Sequence, residues 1–413
     1  MFWEKEGKLI YSYDGETVCI EAWGKDALRV RATKNRSFTG RDWALEAKDA
    51  HAGEVEIFED PSAKGGAFAN MYEGTDTSYG KITNGKLHAV IDSGSVITFY
   101  HEDGRVLLKE HFRRLRDEES MPLNIMGREY SNGVGDNFRI VARFVARKGE
   151  KIFGMGQYQQ HELDLKGCML ELAQRNSQVS VPFYLSSIGY GFLWNNPGVG
   201  QVMFANNGTE WVTESGKEID YLVIAGDTPA EIEENYMTLT GKPPMMPEYG
   251  MGFWQCKLRY WNQEQLLSVA RKYKELGVPL DVIVVDFFHW TKQGEFKFDP
   301  KHWPDVPGMC RELKEMGIQV VVSVWPTVDI YSENFEEMKE KGYLVRTEHG
   351  VPLTMLCGGN EVFFDATNPD ARTYVWEKIK KNYYDQGAKL FWLDVAEPEY
   401  SVYDFKNYRY QLG

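Results

Sequence analysis

The sequence predicts an all-β sandwich over residues 1–243, followed over residues 244–413 by the first half of an eight-stranded α/β barrel. Three observations predict this. Up to about residue 243, short alternating segments are separated by turn dipeptides, the pattern of antiparallel hairpins. Beyond it a helix–glycine–strand unit recurs, and strands such as Val282-Ile283-Val284-Val285 are apolar on both faces, as parallel strands covered by helices must be. Between the two, Lys242-Pro243-Pro244-Met245-Met246-Pro247 holds prolines that deny hydrogen bonds to helix and ladder alike, which marks the domain boundary.

Each element has its own signal. Asp14-Gly15, Asn84-Gly85, Asp103-Gly104 and Asn207-Gly208 supply the turns of the sandwich. One hairpin reads in detail: Leu87, Ala89 and Ile91 alternate, then Val96, Thr98 and Tyr100, and Glu102-Asp103-Gly104 turns the chain towards Val106-Leu107-Leu108. Thr228 precedes a helical stretch from Pro229 to Leu239. In the second part, Tyr249 to Trp254 reads as the first strand. Asn262 caps a helix with Leu266, Ala270 and Tyr273 on one face, and Gly277 stops it before the strand Leu280 to Asp286. Helix Arg311 to Met316 ends at Gly317 and feeds strand Gln319 to Trp325. Ser332 to Lys341 ends at Gly342, and Asn368 to Gln386 ends at Gly387 before strand Lys389 to Asp394. Four main strands are about half of a barrel.

Composition narrows the function. With 413 residues, 43% hydrophobic and 26% charged, the chain is an ordinary globular one with ample core. Lys and Arg number 47 against 61 Asp and Glu, a net charge of −14, which disfavours phosphate backbones and anionic membranes, so no nucleic acid or membrane partner is expected. The 12 Trp, 23 Tyr and 22 Phe suit stacking on sugar faces, although large cores use aromatics too. Cys19, Cys168, Cys256, Cys310 and Cys357 are widely spaced without a C-x-x-C pair, as reduced and mostly buried thiols would be. No leader-like start and no run of about 18 apolar residues is present, so a cytoplasmic location is expected. His161, His289 and His302 are too scattered for a metal set. There is no G-x-S-x-G elbow, P-loop or G-x-G-x-x-G fingerprint, and no metal or cofactor is expected.

In such barrels the site lies at the carboxyl ends of the strands, where Asp286, Trp325 and Asp394 each stand. Asp286 is either a loop cap or a carboxylate for sugar hydroxyls, and Phe287-Phe288-His289-Trp290 after it is either packing under a loop or a wall for a carbohydrate ring. Trp325 is a pocket wall or a tryptophan closing a barrel layer. The strongest local signal is Lys389-Leu390-Phe391-Trp392-Leu393-Asp394-Val395-Ala396-Glu397-Pro398-Glu399, an apolar strand delivering one Asp to its carboxyl end. A retaining glycosidase needs such a carboxylate nucleophile with a second carboxyl group about 5–5.5 Å away, and Asp394 fits the first role. Glu397 and Glu399 are caps, loop salt bridges, or supports standing behind the residues that touch sugar.

With these residues assembled, the chain resembles glycoside hydrolase family 31, and most closely its α-xylosidase branch. The resemblance rests on Lys151-Ile152-Phe153-Gly154-Met155-Gly156-Gln157, Val181-Pro182-Phe183-Tyr184-Leu185-Ser186-Ser187 and Gly191-Phe192-Leu193-Trp194-Asn195-Asn196-Pro197 in the sandwich. In the barrel it rests on Tyr249-Gly250-Met251-Gly252-Phe253-Trp254-Gln255 and on Phe391 to Glu399. It implies a galactose-mutarotase-like sandwich, Asp394 as the nucleophile, Asp286 on the hydroxyls of the sugar in subsite −1, and Phe288 and Trp325 lining that subsite. Trp392, standing where some members carry a lysine two residues before the nucleophile, joins the substrate-binding set. The loop Gln157 to Glu162 would reach over the barrel mouth.

The family's acid/base lies in a later W-x-G-D type motif, yet 19 residues follow Asp394 and a βαβ unit alone takes about 30. The chain is therefore expected to be truncated, inactive by itself and poorly soluble. For the complete protein the expectation is an exo-acting retaining α-xylosidase acting on xyloglucan-type oligosaccharides. An α-glucosidase of the same family and a non-catalytic carbohydrate-binding remnant are the alternatives, with a homo-oligomer left open.

Overall fold

The computed structural model describes residues 1–59, 78–92, 94–115, 123–352, 354–355, 360–396 and 408–412. The chain divides into two compact units, Met1–Pro243 and Pro244–Gly413.

In the first unit the turn dipeptides do join antiparallel neighbours. Strands Lys8–Tyr13 and Glu16–Trp23 pair across Asp14-Gly15, and Gly200–Ala205 and Gly208–Gly216 pair across Asn206-Asn207, one residue earlier than the expected Asn207-Gly208, because Gly208 already pairs with Ala205. At Asn84-Gly85 the turn is locked from outside: the Asn84 amide donates to the carbonyls of Gly24 and Ala27, and Asp26 accepts from the Lys86 N–H at 2.8 Å. Gly85 has φ +55°, and a Cβ there would sit 2.1 Å from the Asp26 carboxylate, so glycine is required twice over.

The described strands of this unit form one nine-stranded sheet, two five-stranded sheets and a two-stranded pair. Leu9, Val30 and Tyr221 of the large sheet, Leu87 and Phe99 of one smaller sheet, and Phe144 and Trp211 of the other share a single buried cluster, which makes the unit a sandwich. The opposite face of the large sheet is covered as well, by Ile232 and Leu239 of helix Pro229–Thr240. Phe183 stacks on Tyr236 at 3.9 Å, and the Thr228 hydroxyl caps the helix at Glu231. That second cover explains why strands Ala27–Thr33 and Ile219–Ala225 are buried at every residue instead of alternating. Among the charges this forces inside, Arg29 is bound through both Nε and Nη2 to Asp220 at 2.9 and 2.7 Å, and through Nη1 to Asp42.

The second unit carries four parallel strands in the order Trp254–Gln255, Val282–Val285, Gln319–Val324, Leu390–Leu393. The sheet is open. Alternation splits it into two faces: Ile283, Val285, Val320, Val322 and Val324 pack with Leu266, Met309 and Leu313 of the helices, while Val282, Val284 and Val321 cluster on the other side with Tyr249 and Leu390.

Several boundaries differ from the sequence expectation. The first strand is not Tyr249 to Trp254: Glu248–Met251 is a 3₁₀ turn, and pairing is confined to Trp254 and Gln255. The backbone donors are already used, since Gly250 and Gly252 donate to the carbonyls of Pro247 and Tyr249, and the Phe253 N–H donates to the Asp281 carboxylate at 3.0 Å. The helix read from Arg311 begins at Val306, because the Asp305 carboxylate accepts the Gly308 N–H and starts it a turn and a half earlier. Asn262 does cap helix Gln263–Glu275, accepting from Gln265. The stretch from Asn368 is α-helical over Pro369–Ile379 and becomes a π-helical turn over Lys380–Tyr384. A small antiparallel sheet of Thr327–Asp329, Thr354–Met355 and Glu361–Phe363 follows the third strand. Its strands are too short for periodicity to reveal.

Candidate active site

The alternation that separates the two faces of the parallel sheet continues past the strand ends. Counting by twos from Val282 and Val284 leads to Asp286, from Val321 and Ser323 to Trp325, from Leu390 and Trp392 to Asp394, and from Trp254 to Cys256. All four residues therefore leave their strands on the face turned away from the helices, at the carboxyl end.

Both carboxylates are held on both oxygens. Asp394 accepts from the Val395 N–H through Oδ1 at 2.9 Å and from the Trp325 indole N–H through Oδ2 at 3.2 Å, and its own N–H donates to the Val324 carbonyl at 3.1 Å. Asp286 accepts from the Phe287 N–H through Oδ1 at 2.8 Å, and the Cys256 thiol donates to Oδ2 at 3.5 Å. Burial, and then the Asp286 carboxylate, push the Cys256 thiol up to about 11, so sulfur stays protonated and remains a donor. Cys256 is an exposed thiol, which corrects the expectation of mostly buried cysteines: the first strand is so short that its end stands at the sheet rim. Cys19 and Cys310 are buried, and Cys357 lies outside the described residues.

An aromatic wall adjoins the carboxylates. Trp325 lies 5.0 Å from the Phe287 ring, 6.0 Å from Phe288 and 5.8 Å from Trp290, centre to centre. Phe288 is 46% exposed, so it does not fill core but stands at the open edge of this aromatic group. Trp392 stands apart from this group. It is paired with Ser323 inside the sheet, is half exposed, and lines a cavity of about 410 Å³ with Tyr249, Trp254, Val321, Leu390 and Phe391. That cavity is bounded by strand residues and by Tyr249 of the 3₁₀ turn, and neither carboxylate lines it. Glu397 and Glu399 lie outside the described residues.

Behind the Asp286 strand end sits His289, 2% exposed. Its Nδ1 is 3.0 Å from the Asp286 carbonyl and its Nε2 is 2.9 Å from the Tyr383 hydroxyl. Burial is the larger influence on the imidazole and lowers it to about 4 against the opposing hydrogen bond to the Asp286 backbone, so it is neutral at physiological pH. Tyr383 belongs to the π-helical turn, so this irregular segment anchors the site from below.

Sequence reasoning missed Cys256 because the first strand was given the wrong span. It passed over His289 because a lone histidine in an aromatic run carries no spacing signal. Among the described residues no group of three or more His, Cys, Asp and Glu side chains is arranged to hold a metal ion, and no helix is long and apolar enough to cross a membrane.

Carboxylates at the ends of parallel barrel strands, each with both oxygens held and an aromatic wall beside them, define a site of the kind that carbohydrate-processing barrel enzymes carry. Residues 17–202 match the glycosyl hydrolase 31 N-terminal galactose mutarotase-like domain, and residues 243–411 match the glycosyl hydrolases family 31 TIM-barrel domain. The chain belongs to glycoside hydrolase family 31.

An uncharacterized family 31 glucosidase of Pseudescherichia vulneris is 45% identical, over 99% of this chain and 76% of its own length. Alpha-xylosidase A of Aspergillus niger is 31% identical, over 92% of this chain and 52% of its own. The crystal structure of a family 31 alpha-xylosidase from a soil metagenome, complexed with xylose, matches with a TM-score of 0.88 and 50% identity, over all of this chain and 60% of the other. The chain thus spans between about half and three quarters of these relatives.

Proposed function

We propose that the complete protein is an exo-acting retaining α-xylosidase that releases α-linked xylose from xyloglucan-type oligosaccharides. Asp394 attacks the anomeric carbon, a glycosyl ester of inverted configuration forms as the aglycone leaves, and water then cleaves the ester with net retention. Trp325 and the Val395 N–H orient the two Asp394 oxygens and spread its charge. Asp286, oriented by Phe287 and Cys256, has lone pairs left for hydroxyls of the sugar in subsite −1. Phe288 and Trp325 pack against the ring, and Trp392, two residues before Asp394 on the same strand, stands one layer deeper and acts on the sugar from behind these residues. The acid/base that protonates the leaving oxygen is supplied, in this reading, by a part of the protein that its relatives carry outside the aligned stretch.

The observation that carries the proposal is Asp394 at the end of its strand with both oxygens held beside an aromatic wall. The 50% identity to the xylose-complexed xylosidase supports xylose. A glucosidase reading is kept because the Pseudescherichia relative bears that description. Kinetics of the complete protein on aryl α-xyloside and aryl α-glucoside test the choice, and a higher kcat/KM for the glucoside rejects xylose. A 5-fluoroxylosyl fluoride should label the peptide containing Asp394; absence of label in a folded protein that still binds xylose points to a carbohydrate-binding role.

A further inference from the structure

Phe288 has φ +59°, the left-handed region that bulky side chains avoid, and it stands at the open edge of the aromatic group. Something must hold it there. The Phe288 carbonyl accepts a hydrogen bond from Arg259 Nη1 at 2.8 Å, and the guanidinium lies 5.3 Å from the Phe288 ring centre. The same guanidinium lies over the Trp261 ring, 4.1 Å from its centre. The Trp261 backbone is itself fixed at the start of helix Gln263–Glu275, where its main-chain N–H donates to the Gln265 side-chain oxygen at 2.7 Å. No carboxylate among the described residues pairs with Arg259, so the cation is committed to this one bridge between the loops after the first and second strands.

We infer that Arg259 is a positioning residue that fixes the Phe288 backbone and ring as a wall of the sugar site. This rests on the assignment of Phe288 to that site in the proposed glycosidase. A guanidinium suits the task because it is planar, stacks on an indole and still donates in its own plane. Removing it frees Phe288 to relax towards ordinary backbone angles, taking the ring away from the substrate.

The test combines a structure with a double-mutant cycle in the complete protein. In a crystal structure of Arg259→Met, Phe288 is expected to leave the left-handed region. An unchanged Phe288 overturns the inference, whether or not the protein hydrolyses glycosides. On aryl α-xyloside, Arg259→Met should lower kcat/KM about tenfold, mainly through KM, and Arg259→Lys should recover part of the loss. In a Phe288→Ala background, Arg259→Met should add less than about twofold; effects that simply multiply overturn the inference. Should Arg259→Met not fold, Trp261→Ala, which removes only the stacking platform, serves in the same cycle. A wild-type protein that turns over neither xyloside nor glucoside refutes the glycosidase reading, and the crystal structure then decides Arg259 alone.

Discussion

The indole N–H of Trp325 donates to Oδ2 of Asp394 across 3.2 Å. The two residues end adjacent parallel strands and are separated by 69 positions in the sequence. A single side chain thus lines the aromatic wall and holds the carboxylate proposed as nucleophile.

Trp325→Phe keeps a ring in the wall and removes that donor. The nucleophile then loses the contact that orients Oδ2, and because misplacing a reacting group costs up to about 100-fold, kcat for aryl α-xyloside should fall by roughly 10- to 100-fold. Asp394→Asn should abolish turnover. A Trp325→Phe enzyme as fast as wild type would show that the bond does not act in the reaction.

Cys256 should resist alkylation despite its exposure. With the thiol at about 11 instead of the ordinary 9.0, its thiolate fraction at pH 8 is lower by about a hundredfold, and reactivity follows the thiolate. Iodoacetamide labelling followed by peptide mass spectrometry checks this. Modification at the rate of a free thiol peptide would contradict the Cys256–Asp286 contact.

His289 ties stability to pH. The folded protein holds the imidazole at about 4, below its ordinary 6.5, so as pH falls below 6.5 the unfolded chain takes up the proton first. This contribution to stability is present above pH 6.5 and is lost as pH falls towards 4, amounting to about 3 kcal/mol at the acid end. Denaturant titrations between pH 4 and 7 on wild type and His289→Gln should show a shallower slope in the variant. Parallel slopes would place the histidine in a solvated environment.

In the sandwich, Arg29→Met should be severe. It leaves the Asp220 carboxylate, buried completely, without its counter-charge and, among the described residues, with only the Asn195 amide donating to it at 2.8 Å, and breaking a buried pair from one side costs about 3–5 kcal/mol. Replacing both residues with apolar ones of similar size should restore much of the loss. Thermal unfolding of the two variants separates these outcomes.

Much of this was legible in the sequence because it is written in short-range chemistry. Asn84-Gly85 is a turn wherever it occurs, Asn262 caps the helix that follows it, and Val282 to Val285 cannot be a half-exposed strand. Asp286 and Asp394 were legible as strand-end carboxylates for the same reason. The first strand was misread because Asp281, 28 residues away, takes the Phe253 N–H, an interaction no local pattern announces. The antiparallel sheet after Trp325 was missed because strands of two or three residues show no period.

By itself, then, the sequence determined the order of β-sandwich and parallel α/β unit, the boundary between them, and which carboxylates stand where strands end, since these follow from alternation, glycine and proline. Only the tertiary structure decided what those carboxylates meet. Parallel register sets Trp325 against Asp394 and Cys256 against Asp286, and the turns beyond the strands carry Arg259 onto Phe288. Such pairings join residues tens of positions apart, and they form only when burial of the valine-rich faces brings the strands side by side.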